Sequence, residues 1–264
     1  MLKHTADNIN ILGAFCGKRD VTELTSEQLL GKYGIRQADV MVLFGGSILC
    51  GGDVLAQAMQ DQAAKKYVIV GGAGHTTETL RVKMHEEFPE LETAGLSEAE
   101  VFADYLKYRY GLEPDLLECR STNCGNNITY LLELLKENDI SFRSIILSQD
   151  ATMQHRMEAG LRKYVDDTVT IRNYAVYSAK VTVQNDAPVY DREIWGMWEI
   201  DRYLNLLMGE IPRLSDDTNG YGPKGKGFIA HVEIPPDVKT AFRELCREYP
   251  GLVREANPVY ASGK

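Results

Sequence analysis

The chain has 264 residues, a formal net charge of −9 and 44% hydrophobic residues. That length suits one large domain, or one domain with a smaller appendage, and the acidic balance argues against nonspecific nucleic-acid or anionic-membrane binding, which needs clustered Lys and Arg. No run of about 18 apolar residues occurs, so no membrane span is expected, and the opening stretch MLKHTADNINILGAFCGKRD lacks the apolar centre of a secretory signal.

In chain order, DVTELTSEQLLGKY (20–33) reads as a short helix capped at Ser26. A strand follows at Val40–Phe44, apolar without alternation, as expected of a strand covered on both faces. A helix over about 53–65 places Leu55, Ala58, Met59 and Gln62 on one stripe. Strand two is Tyr67–Val70, and the helix after it, with Leu80, Met84 and Phe88 four apart, is stopped by Pro89. Ser97 and Glu100 form a capping box for the next helix, and Gly111 is its left-handed terminator. Strand three is Asp115–Cys119, followed by a helix with Ile128, Leu131, Leu132 and Leu135. Strand four is Ser144–Ser148, with a basic helix over about 151–164, and strand five is Val169–Val176, rich in β-branched residues. Beyond about Ser178 the rhythm changes. A helix carrying Trp195, Trp198, Tyr203 and Leu207, the turn-rich stretch 213–227, a short strand at Phe228–Glu233 and a last helix with Val238, Phe242, Leu245 and Tyr249 complete the chain. The division is a main α/β domain over 1–180 and a smaller helical cap over 181–264.

Apolar runs ending in small polar clusters (VMVLFGGS, YVIVGGAGH, LLECRSTNCGNN, SIILSQD), each followed by a helix, predict a mostly parallel sheet wound with helices on both faces. In such sheets the ligand lies outside the carboxyl ends of the strands. Gly45, Gly46 and Ser47 after strand one, and Gly71, Gly72 and Ala73 after strand two, let backbone N–H groups approach an anion; tight strand-to-helix turning is the competing reading of either pair alone. G-x-G-x-x-G is absent after either of these strands, and neither a P-loop nor the G-x-S-x-G elbow occurs. STNCGNN is dense in hydrogen-bonding side chains, which favours a ligand role for some of Asn123, Asn126 and Asn127 over capping alone.

Asp150 is either a ligand acceptor or a helix cap, and Glu98 and Glu118 are similar cases. Arg156 is either an anion clamp or a salt-bridge partner. His75 is either an acid or base or, more simply, an exposed loop histidine, and His155 lies beside Arg156 one turn into its helix. Cys124 is better read as a packed thiol, and Trp195 and Trp198 as packing against the sheet. Cys16, Cys50, Cys119, Cys124 and Cys246 are scattered, with no C-x-x-C pair. That pattern disfavours disulfides and structural zinc and favours a reducing cytoplasmic setting.

Ser97–Ala99 ahead of a helix, E-x-x-S-x-N-x-x-x-N (Glu118, Ser121, Asn123, Asn127) and D-x-x-x-x-x-R (Asp150, Arg156) together resemble the bacterial SanA/YdcF family, a domain family of uncharacterised function. The likeness spans about Val40 to Tyr164, and the segment DRYLNLLMGEIPRLSDDTNGYGPKGKGFIAHV is similar to the YdcF-like members. The resemblance implies a Rossmann-like main domain with a smaller C-terminal element. It implies S-adenosylmethionine as a small-molecule nucleoside ligand in a deep cleft, with no established methyl transfer. It departs at Cys124, where the wider family has Thr, at Asn126, where it has Glu, and near Met153, where a His is usual. The expected function is therefore S-adenosylmethionine binding, as a methyltransferase or a non-catalytic sensor. The competing expectation is a hydrolase or transferase for a phosphorylated or nucleotide-sugar substrate, with Asp150, His75 and Arg156 as acid, base and anion clamp.

Overall fold

A computed structural model describes residues 2–253. It opens with α1 (Leu2–Cys16), which the sequence reading left unassigned; Ala6, Ile9, Leu12 and Cys16 are buried along one helical stripe. α2 (Ser26–Tyr33) is capped one residue earlier than expected. The Thr25 side chain, not Ser26, accepts from the N–H of Gln28, and Gly34 ends the helix at φ 70°. β1 (Ala38–Phe44) leads to α3 (Cys50–Gln60). That helix stops short of the expected Lys65 because Gln62 turns to φ 52° and β2 (Ala64–Val70) begins at once. α4 (Thr77–Glu87) and α5 (Glu98–Tyr110) follow, α5 with the expected capping box at Ser97 and Glu100 and with Gly111 at φ 65°. β3 (Leu116–Glu118), α6 (Cys124–Glu137), β4 (Ser144–Ser148), α7 (Gln154–Arg162) and β5 (Thr170–Asn173) complete the wound portion. β5 ends before the expected Val176; Tyr174 forms an isolated antiparallel bridge with Arg19, while its N–H still donates to the carbonyl of Leu147 in β4 at 2.9 Å.

Three further expectations are corrected beyond β5. β6 (Val181–Gln184) and β7 (Ala187–Tyr190) form an antiparallel hairpin, turned by Asn185 and Asp186 at φ 48° and 57°. Trp195 and Trp198 lie in an irregular strap, because α8 begins only at Ile200 (Ile200–Leu214). Phe228–Glu233 forms no strand, and α9 (Pro236–Glu248) follows it.

The main sheet is parallel, with the order β3-β2-β1-β4-β5. This is the Rossmann-like arrangement, with β1 at the centre. Its strands lack alternation because both faces are covered. Met41 and Leu43 point into a core shared with α1, α3, α5, α8 and α9. Val40, Val42 and Phe44 point the other way, against Ile128 and Leu131 of α6 and Met157 and Leu161 of α7. Full burial of one such side chain stabilises the fold by about 1.5–3 kcal/mol. Among the described residues no helix is long and apolar enough to cross a membrane.

Candidate functional site at the carboxyl rim of the sheet

The chain steps from β1 outward to β2 and β3, then returns to the other side of β1 as β4 and β5. The reversal lies between β1 and β4, and the turns leaving their carboxyl ends frame a crevice there. The glycine turns meet at this rim. A Cβ on Gly45 would stand 2.6 Å from Glu98 Oε2 and 3.3 Å from the Cα of Gly71. One on Gly72 would stand 2.2 Å from the carbonyl oxygen of Ser121. These glycines therefore let the turns after β1, β2 and β3 touch one another, and their N–H groups are used internally. Gly45 donates to Val70 at 2.7 Å, Gly71 to Glu118 at 2.9 Å and Gly72 to Ser121 Oγ at 3.1 Å.

Gly46 and Ser47 differ. The Cβ position of Gly46 meets only Gln149 Oε1, at 3.6 Å. The N–H groups of Gly46 and Ser47 donate to no backbone carbonyl among the described residues. Ser47 is 1% exposed, and its hydroxyl has no hydrogen-bond partner among the described residues. An orphaned buried hydroxyl beside unspent N–H groups is unusual, because such groups are nearly always satisfied. Ala73 stands exposed at the outer end of the second turn.

Glu98 begins α5 and joins the two turns. Its N–H donates to the carbonyl of Gly72 at 3.0 Å, and its Oε1 accepts from Thr76 at 3.0 Å and Thr77 at 2.9 Å. Oε2 lies toward Gly45. Burial pushes this carboxyl above its ordinary range, against the opposing pull of the Thr77 and Thr76 hydroxyls.

The turn after β3 is self-organised. Glu118 accepts from the N–H of Arg120 at 2.7 Å and of Ser121 at 3.2 Å. Asn123 caps α6 by accepting from the N–H of Asn126 at 3.0 Å, and its amide donates to Asn126 Oδ1 at 2.6 Å. So Glu118, Ser121, Asn123 and Asn126 hold one another. Asn127 is half-buried, and no hydrogen bond of its side chain occurs among the described residues.

After β4, Asp150 is deeply engaged. Oδ1 accepts from the N–H and hydroxyl of Thr152, both at 2.9 Å, and from Tyr177 at 2.7 Å, while Oδ2 accepts from Trp198 Nε1 at 2.7 Å. Asp150 thus caps the start of the following helical segment and also ties down the strap. The strap crosses the rim elsewhere too. The carbonyl of Trp195 accepts from the N–H of Cys50 at 3.3 Å, and that of Gly196 from Lys83 Nζ at 3.1 Å. Trp195 packs its ring on Tyr105 with centroids 5.5 Å apart.

Arg156 is held in a buried two-point ion pair with Glu210 of α8: Nε to Oε2 at 2.5 Å and Nη2 to Oε1 at 3.0 Å. His155 binds the carbonyl of Phe15 through Nδ1 at 2.9 Å, and burial, reinforced by Lys18, lowers its pKa. His75 is exposed on the second turn. Sequence reading missed Gln149, whose Nε2 donates to the carbonyl of Gly45 at 3.3 Å and bridges the β1 and β4 turns. Its place directly before Asp150 was the available signal. Tyr177 and Glu210 offered none, since each is joined to its partner only by the fold.

A cavity of about 180 Å³ lies behind Asp150, between α1 and the end of β5, lined by Gly13, Gly17, Ala151, Tyr177 and Tyr203. No protein-family model matches the sequence.

Proposed function

We propose that the chain binds S-adenosylmethionine at the carboxyl rim of β1, β2 and β4. The observation that carries this reading is the turn Gly46–Ser47, with its buried, unpaired hydroxyl and unspent N–H groups at the sheet's reversal point. Such a turn suits a ligand carboxylate. Glu98 Oε2 and the Asn127 amide supply an acceptor and a mixed donor–acceptor for an ammonium, ribose hydroxyls or adenine edge. The acidic neighbourhood also suits a sulfonium. The resemblance carried by Glu118, Ser121, Asn123 and Asn127 supports the same ligand. The reading is of S-adenosylmethionine binding, as a methyltransferase or as a non-catalytic sensor; Asp150 and Arg156 are tied into the fold through Trp198 and Glu210.

Calorimetric titration of the whole chain with S-adenosylmethionine, S-adenosylhomocysteine and ATP tests this. The two nucleosides are expected to bind more tightly than about 1 mM. Ser47→Ala should weaken them roughly tenfold, the loss of one charge-assisted hydrogen bond. Because the strap lies over the rim, binding should also change the emission of Trp195 and Trp198. Absence of saturable heat with either nucleoside overturns the proposal.

A further inference from the structure

We infer that an open groove of about 750 Å³ beyond the carboxyl end of β5 is a site for a small phosphate-bearing molecule. Arg19, Lys32 and Arg192 line it, together with Asp20, Gln28 and Ser178. In a chain of net charge −9, Arg19, Lys32 and Arg192 form no ion pair with any described residue. The Asp20 carboxylate is on the groove wall too, but its Oδ2 accepts from the N–H of Asn173 at 2.6 Å and it forms no ion pair with the three cations, so the wall carries more positive than negative charge.

The cations are held in place by other means. The Arg19 guanidinium lies 4.0 Å from the centre of the Tyr174 ring, and its Nε donates to the carbonyl of Ala175 at 2.7 Å. Its two Nη groups are left for a ligand. Arg192 donates one Nη to the carbonyl of Ser178 at 2.8 Å, and Lys32 donates to the backbone carbonyl of Asp20. Burial lowers the pKa of Arg19 against the opposing pull of Tyr174 and Cys50, with a smaller contribution from the Arg192 charge. Three cations against the single carboxylate of Asp20 leave an excess of like charge on the groove wall, and an anion placed among them offsets that cost. Guanidinium forks match phosphate oxygens in geometry. A cluster of three cationic side chains fits a multiply charged phosphate better than a single carboxylate. The protein's overall negative charge repels a long polyanion, which leaves a small molecule as the occupant.

The groove shares no residue with the glycine turns, so this inference stands apart from the nucleoside reading. Its test is calorimetric titration of the whole chain with inorganic pyrophosphate at low ionic strength. Saturable binding is expected, weakened by added salt. Arg192→Gln, at an exposed position with a single backbone hydrogen bond, should weaken it roughly tenfold. Lys32→Gln should weaken it as well, and these two variants decide the matter if Arg19→Gln does not fold. The proposal is overturned if the wild-type chain shows no saturation below about 10 mM, or if Arg192→Gln and Lys32→Gln both bind as the wild type does. Loss of binding in Ser47→Ala alone would place the anion at the rim and overturn it equally.

Discussion

Glu98 carries the sharpest chemical consequence at the scale of one residue. Its side chain wedges between Gly45 and Gly71, and burial raises its pKa in the folded chain. A carboxyl raised on folding holds its proton more tightly folded than unfolded. The cost of burying it is therefore absent at pH values below the unfolded pKa, grows as pH rises, and is complete above the folded pKa. Glu98→Gln keeps an acceptor for Thr76 and Thr77 but removes the ionisation. Urea melts between about pH 4 and 8 should show the variant gaining stability relative to wild type as pH rises. A difference that does not change with pH would contradict the burial argument. The same residue shows how a local signal misleads: Ser97–Ala99 announces a helix start, yet nothing near it in sequence reveals that Glu98 packs on two distant turns.

At the scale of the element, the strap between β7 and α8 decides how the rim is closed. It has no regular hydrogen-bonding pattern of its own and is fixed from outside, by Asp150 on Trp198 Nε1, Lys83 on the Gly196 carbonyl, and Cys50 on the Trp195 carbonyl. Trp198→Phe keeps the apolar bulk and leaves Asp150 Oδ2 without its donor. The expected loss is about 1–3 kcal/mol, the cost of a buried carboxylate short of a hydrogen bond. Hydrogen exchange should show faster exchange at the Cys50 amide, because its acceptor sits on the same strap. Unchanged exchange there would mean that the strap is held without Trp198. A helix through Trp195 and Trp198 was a reasonable expectation from their spacing, but Gly196 stands at φ 75°, outside the right-handed helical region, and a Cβ there would stand 2.6 Å from the backbone nitrogen of Leu49.

At the scale of the whole molecule, the two ends of the chain share one core. Ile9 and Leu12 of α1 join Leu207 and Met208 of α8, Ala241 and Leu245 of α9, and Met41 and Leu43 of the sheet. A division of the chain near residue 180 would place α1 and its partners in different units. Far-ultraviolet dichroism and emission from Trp195 and Trp198 are expected to report one coincident transition in urea. Leu12→Ala should lower both by the same amount, about 2–5 kcal/mol. Two separated transitions would show that the C-terminal segment folds by itself.

The sequence by itself determined the parallel sheet, the position of most strands and the capping of α5, since unbroken apolar runs, Ser97–Glu100 and Gly111 act over a few residues. It also marked Gly45, Gly71 and Gly72 as places where backbone N–H groups could meet a ligand or where the chain turns tightly; their N–H groups are used within the protein. Only the tertiary structure decided what approaches them, because Glu98, Ser121 and the strap reach the rim through contacts between residues remote in the chain. The same holds for Arg156, whose role depends on Glu210, 54 positions away. Periodicity reports which face of an element is buried; it carries no information about which distant side chain completes a polar pair there.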